Sequence, residues 1–272
     1  MTPFRFRLRR AAAAGAAVAF LAASPALAAR KKRKAAEPTA VPRPPDPFRV
    51  TITTADGVAL AASWRPVAGN EKAPAVLLVH DFSRERRELE PLATRLGTAG
   101  YATLAIDLRA HGESTRKNGQ PIPISPRLLT DPGGFPRDVE SAAAWMRARA
   151  PRTAALGFSV GGYLALLAAA RGQVDTAIAF SVNEPKVAAL AGPAAPAPRS
   201  LLLVACEDDP GRAESARKLE ASAQPPKRLL LFPGAAHNLA VLREHPEAVA
   251  AILAWLAERI GPPAPAPAAP PQ

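Results

Sequence analysis

The stretch Leu156-Gly157-Phe158-Ser159-Val160-Gly161-Gly162 follows a short apolar run and precedes a segment rich in alanine and leucine. This order predicts a strand, a sharp turn and a helix. Glycines have no Cβ atom and therefore permit a strained turn that leaves the Ser159 hydroxyl exposed. At the amino end of the helix, the backbone N–H of Val160 can face a negatively charged oxygen. Ser159 is therefore the candidate nucleophile.

Short apolar runs and helical stripes alternate on both sides of this turn. Asp56-Gly57 is a hairpin-turn pair, so the first two predicted strands are antiparallel. The pattern predicts the α/β class, with an eight-stranded, mainly parallel sheet and helices on both of its faces. The predicted strands are Val50–Thr53, Val58–Trp64, Ala75–Val79, Ala102–Ile106, Ala154–Leu156, Thr176–Phe180, Leu201–Ala205 and Arg228–Phe232.

Two later segments offer a base and an acid at the edge of the sheet where Ser159 emerges. In such sheets, ligands gather at the carboxyl ends of the strands. His237 follows the last predicted strand and can take the serine proton. Glu207-Asp208-Asp209 follows the strand before it. Asp209 is the preferred acid for orienting the imidazole, Asp208 is the alternative, and the order serine, acid, histidine predicts a catalytic triad.

Several motifs, taken with the serine turn, resemble the α/β-hydrolase fold family across residues 48–260. These are Leu77–His80, Asp107–Ser114, Cys206–Pro210 and Pro233–His237. The resemblance implies that the backbone of Phe82 is a second oxyanion donor, beside that of Val160. It also implies that His80 and His111 brace loops without a direct catalytic part.

Two positions depart from the family pattern. Asp81 stands where the family commonly has glycine. A carboxylate directed at the oxyanion site would oppose the developing charge, so we expect this side chain to point to water. Ala110 also replaces a common glycine, at little cost if its backbone is not left-handed.

The residues and the resemblance together predict an exported serine hydrolase, most simply a carboxylesterase acting on small or medium acyl esters. This chemistry needs no metal or organic cofactor. A thioesterase, peptidase or perhydrolase would use the same residues. The alternative from another class is a non-catalytic α/β-hydrolase-like binding domain of the cell envelope.

Two segments bear on how open the predicted site is. The stretch between Phe180 and Leu201 is too short for a large lid. The segment Ser114–Pro136 is rich in proline and glycine, and we expect it to drape over the entrance as a mobile loop. The prediction is a shallow, accessible cleft.

Charge is concentrated at one end of the chain. The net charge is +12, and residues 1–34 hold nine basic residues and no acidic ones. Without these nine the net charge falls to +3, which argues against a nucleic-acid partner for the folded part. The single cysteine, Cys206, cannot form an intrachain disulfide.

Both ends of the chain are predicted to lie outside the domain. Residues 1–28 are typical of a signal peptide cleaved after Ala28, which predicts a secreted or periplasmic protein, with a transmembrane helix as the alternative. Residues 29–47 form a basic, proline-rich linker, and residues 261–272 form a disordered tail rich in proline and alanine. The run Arg30–Lys34 is interpreted as solvated charge, the alternative being weak contact with an anionic membrane surface. The oligomeric state leaves no signal in the sequence.

Overall fold

Ten strands and seven α-helices lie in the part of the chain that the computed structural model describes, residues 44–191, 197 and 199–261. The strands are β1 (Arg49–Thr53), β2 (Ala59–Arg65), β3 (Ala75–Val79), β4 (Ala102–Ile106), β5 (Arg116–Lys117), β6 (Gln120–Pro121), β7 (Thr153–Phe158), β8 (Thr176–Phe180), β9 (Arg199–Cys206) and β10 (Gln224–Phe232). The helices are α1 (Glu90–Thr98), α2 (Phe135–Arg147), α3 (Val160–Ala170), α4 (Glu184–Ala191), α5 (Arg212–Ser222), α6 (Leu239–Glu244) and α7 (Glu247–Ile260). The predicted signal peptide, most of the predicted linker and most of the predicted tail lie outside the described residues.

Eight of these strands form one sheet, in the order β1-β2-β4-β3-β7-β8-β9-β10. The pairs β1–β2 and β2–β4 are antiparallel, and the other neighbouring strands are parallel. The predicted fold class is confirmed. β10 begins four residues before the predicted Arg228, because Gln224 already pairs with Arg199 of β9; the register then shifts between Gln224 and Lys227, around two prolines. Proline is tolerated there because an edge strand needs fewer backbone donors.

The middle of the sheet is buried on both faces, which explains why its strands are continuous apolar runs. Every residue of β3 is buried, with Leu77 in the hydrophobic cluster on one face and Leu78 in the cluster on the other. The first cluster includes side chains of α2 to α5, and the second includes side chains of α1, α6 and α7. None of the described helices combines the length and apolar character that crossing a bilayer requires.

Two buried arginines fix loops at the carboxyl edge of the sheet. Arg86 is only 1% exposed and pairs with the buried Asp107, and its other guanidinium nitrogen lies 3.0 Å from Glu113. Arg109 lies 2.8 Å from Asp138 and 2.9 Å from Asp56. Because removing one partner of a buried ion pair typically costs about 3–5 kcal/mol, these arginines hold the loops firmly.

The segment Ser114–Pro136 packs against the first hairpin. The backbone of Lys117 forms an isolated antiparallel β-bridge with Val58, and the backbone N–H of Asn118 donates to the Gly57 carbonyl at 2.8 Å. No residue of the segment lines the cleft that contains Ser159. The expectation that the segment covers this entrance was therefore wrong, because its short β5–β6 pair and backbone bonds direct it to the hairpin.

Candidate active site

Ser159 occupies a strained turn between β7 and α3. Its φ of 48° and ψ of −113° lie in a region that non-glycine residues enter at a cost of about 1–3 kcal/mol. A Cβ atom on Gly157 would lie 2.1 Å from the Gly161 backbone, and one on Gly161 would lie 2.3 Å from the Val79 carbonyl oxygen. The glycines are therefore required by close backbone approach. The Ser159 N–H donates to the Phe180 carbonyl at 2.9 Å, which ties the turn to β8.

His237 lies beside Asp209 and not beside Asp208. The His237 Nδ1 atom is 2.7 Å from Asp209 Oδ2. Asp209 is buried, whereas the His237 side chain is 41% exposed. The carboxylate accepts from Nδ1–H, so Nε2 of a neutral ring is left as an acceptor. Asp208 is exposed, and its backbone N–H donates to the Gly234 carbonyl at 2.9 Å.

Ser159 and His237 line the same open cleft, which has a volume of about 820 Å³. The hydrogen bonds of the described residues include none between the Ser159 hydroxyl and the His237 ring. In enzymes without a bound substrate such contacts are often long, and they tighten in the complex. Apolar side chains of α1 and α6 line part of the cleft, and three arginines line it as well. These lining residues are Leu92, Leu239, Leu242, Arg84, Arg95 and Arg243. Helix α6 was not predicted, because it spans less than two turns.

Phe82 also lines the cleft, and His80 orients the peptide that carries its N–H. The Leu108 N–H donates to His80 Nε2 at 3.0 Å, so the opposite nitrogen, Nδ1, carries the proton and donates to the Asp81 carbonyl at 2.6 Å. Burial lowers the pKa of His80 to about 4, so the ring stays neutral at pH 7. The hydrogen bonds within the described chain include none donated by the Phe82 N–H or by the Val160 N–H.

His111 is the second buried histidine beside this loop. Its Nε2 atom contacts the Phe82 carbonyl oxygen, and its Nδ1 atom lies 2.9 Å from the Arg109 carbonyl oxygen. His80 and His111 thus both bond to backbone atoms around Phe82. Neither ring is among the residues that line the cleft.

The structure shows the surroundings of both residues that depart from the family pattern. Asp81 is only partly buried and lines the open cleft, and its carboxylate accepts from the Asn238 side chain and from the Ser83 N–H, both at 3.0 Å. Ala110 has a φ of 66°, so its backbone is left-handed. An alanine in that conformation is strained where glycine would not be.

Cys206 ends β9, three residues before Asp209, and its side chain is buried. Burial raises the pKa of the thiol, which keeps it protonated and poorly nucleophilic. The described residues contain no group of three or more histidine, cysteine or acidic side chains placed to hold a metal ion.

The strand order, the antiparallel start of the sheet and the serine turn after the fifth strand of the main sheet define an α/β hydrolase. Within this class, the model of the Dienelactone hydrolase family matches residues 61–258. The chain belongs to that family.

Individual proteins show similarity of two kinds. A probable 2-oxo-3-(5-oxofuran-2-ylidene)propanoate lactonase of Bradyrhizobium is 31% identical over 136 residues, which cover 48% of this chain and 54% of that protein. The chain thus spans about half the length of this curated relative. An esterase of Pyrococcus furiosus superposes with a TM-score of 0.62 at 18% identity, over 78% of this chain and 92% of the esterase. A Xanthomonas campestris serine hydrolase without a lid superposes with a TM-score of 0.62 at 18% identity, over 84% of this chain and 99% of that hydrolase. At these identities the two structures show a shared fold.

Proposed function

We propose that this protein is an exported serine hydrolase, a carboxylesterase for small or medium acyl esters, with Ser159, His237 and Asp209 as its triad. One observation carries the proposal. Ser159, on its strained turn, lines the same open cleft as His237, and the Nδ1 atom of His237 is hydrogen-bonded to the buried Asp209. Membership of a hydrolase family supports it further. Export rests on the predicted signal peptide, residues 1–28.

In the proposed mechanism, the Ser159 oxygen attacks the ester carbonyl while His237 Nε2 takes the hydroxyl proton. The backbone N–H groups of Val160 and Phe82 donate to the oxyanion of the tetrahedral intermediate. His237 then gives its proton to the leaving alcohol, which departs as the acyl-enzyme forms. Water, deprotonated by His237, attacks the acyl group and releases the acid, and Ser159 regains its proton.

A more specific substrate class is an ester or lactone that carries a carboxylate. Arg95 and Arg243 line the cleft, and the interactions within the described part of the chain pair neither of them with an acid. Arg84 has a partner, Glu88, at 3.0 Å. An unpaired guanidinium binds carboxylates well, and the named substrate of the Bradyrhizobium relative is an anionic lactone. This subclass deepens the proposal without changing its catalytic residues.

The test is labelling with a fluorophosphonate probe combined with hydrolysis of p-nitrophenyl esters of increasing acyl length. We expect wild type to be labelled and active. We expect Ser159→Ala to lose labelling and at least about 10⁴-fold in kcat. Ser222→Ala is the matched control, because this serine ends α5 and does not line the cleft. Paired esters with and without a terminal carboxylate test the substrate subclass.

The same experiment separates the enzyme from the alternative, a non-catalytic binding domain. A well-folded wild type that is neither labelled nor active on any ester would support the binding domain. Labelling that persists in Ser159→Ala would remove Ser159 from the mechanism. Equal kcat/KM for the charged and neutral esters would reject the anionic subclass alone.

A further inference from the structure

Asn238, directly after His237, has a strained backbone. Its φ of 54° and ψ of −125° are unusual for a residue other than glycine. Its N–H donates to the Ser181 hydroxyl oxygen at 3.0 Å, and Ser181 itself has a φ of 49° at the end of β8. Strain that the surroundings maintain in this way is concentrated at functional positions in proteins.

The Asn238 side chain is buried and forms a single hydrogen bond with the described residues. Its residue is 9% exposed, and its Nδ2 atom donates to Asp81 Oδ2 at 3.0 Å. A carboxylate can only accept, so the amide nitrogen must face it. The remaining oxygen, Oδ1, is buried and has no hydrogen-bond partner among the residues that the structure describes. The hydrogen bond to Asp81 therefore stabilises the buried amide, whereas the unsatisfied Oδ1 destabilises it.

Asp81 precedes Phe82, whose N–H is a proposed oxyanion donor. Both oxygens of its carboxylate are engaged, one by Asn238 and the other by the Ser83 N–H. Asp81 lines the cleft, and a carboxylate free to turn toward the oxyanion site would repel the oxyanion that forms there. The Asp81–Asn238 bond also joins two loops that lie 157 positions apart in the chain, one with the proposed donor and one with His237.

We propose that Asn238 is a positioning residue, which holds the Asp81 carboxylate against the cleft wall and links the oxyanion loop to the His237 loop. This inference rests on the proposed function. It assigns to Asn238 no contact with the substrate. Its effect should therefore fall on the chemical step and not on substrate binding.

The first test is a double-mutant cycle. Asn238→Gly removes the amide and suits the positive φ, so the protein should fold, which a thermal unfolding curve verifies. We expect kcat to fall about tenfold with KM within about twofold of wild type. In an Asp81→Ala background, the same substitution should change kcat by less than about twofold, because no carboxylate is left to hold.

The second test exchanges donor and acceptor. Asn238→Asp places two carboxylates together and should lower kcat by about 100-fold, since like charges repel. Adding Asp81→Asn allows the bond to form with reversed polarity and should bring kcat within about threefold of wild type.

The results separate the two proposals. Unchanged kcat in Asn238→Gly, an equal loss in both backgrounds of the cycle, or no rescue by the exchange would overturn the positioning role while leaving an active wild type. A wild type that neither hydrolyses esters nor reacts with the fluorophosphonate would instead overturn the proposed function on which it rests.

Discussion

The turn at Ser159 and the turn at Asn238 have nearly the same backbone shape but are held by different means. The φ and ψ angles are 48° and −113° at Ser159, and 54° and −125° at Asn238. At Ser159 the shape is fixed by glycines that let backbone segments touch. At Asn238 it is fixed by side-chain hydrogen bonds to Ser181 and Asp81.

The difference determines how each turn tolerates change. Backbone contacts cannot move without shifting whole strands, so the serine turn should fail by losing stability. Side-chain bonds can be removed one at a time, so the histidine turn should fail by losing activity first. Three variants test this contrast, in order of decreasing expected effect.

The largest effect is expected where the histidine turn meets its acid. Asp209→Asn removes the charge 2.7 Å from His237 and favours the wrong ring tautomer, so kcat should fall about 10⁴-fold, or about 5.5 kcal/mol in the barrier. Steady-state kinetics measures this, and unfolding curves should show a folded protein. Asp208→Asn is the matched control, because Asp208 is exposed, and its kcat should stay within about twofold. Similar losses in both variants would contradict the pairing of Asp209 with His237.

The serine turn is tested by adding one methyl group. Gly161→Ala would place a Cβ atom 2.3 Å from the Val79 carbonyl oxygen and 2.6 Å from that of His80, so we expect about 3 kcal/mol less stability. The control is Gly97→Ala on α1, where no atom of the described residues lies within 4 Å of the new atom. There alanine should stabilise the helix by about 0.5–1 kcal/mol. Denaturant unfolding gives both values, and equal effects at the two sites would refute the packing argument.

The smallest effect concerns pH and His80, whose carbonyl packs against the serine turn. Its pKa is about 6.5 when unfolded and about 4 in the folded protein, so the folded state binds fewer protons between these values. Stability from His80 is present above pH 6.5 and is lost as pH falls toward 4. When the pH falls from 7.5 to 5, we expect the free energy of unfolding of the wild type to decrease by about 2 kcal/mol. The His80→Asn variant should not show this decrease. Parallel stability curves for the two proteins would show that His80 is not the responsible group.

The sequence was informative where the required residues are close together in the chain. β3, β4 and β8 begin and end as predicted, since buried strands are continuous apolar runs between breaks. The glycines that the turn requires lie within a few residues of Ser159, so their spacing in the sequence predicted the turn. Asp209 is the last acid before Pro210, where a turn is expected to begin, and this local pattern favours the acid that the structure places beside His237.

The remainder depended on contacts between distant segments. Asn238 bonds to partners 57 and 157 positions away, and neither spacing leaves a pattern in the sequence. The bond between Asp81 and the Asn238 amide likewise could not be predicted from the sequence. The segment Ser114–Pro136 was misplaced for the same reason, since its backbone bonds to the hairpin at Gly57 have no signature in composition.

The chain has one thiol, at Cys206, and it is buried and weakly ionised. A cysteine introduced on the exposed surface of α6 would therefore be the sole rapid target for a maleimide dye, with the native residue left in place. Fluorescence from such a dye would report on ligands entering from that side, and would do so even for compounds that are never turned over.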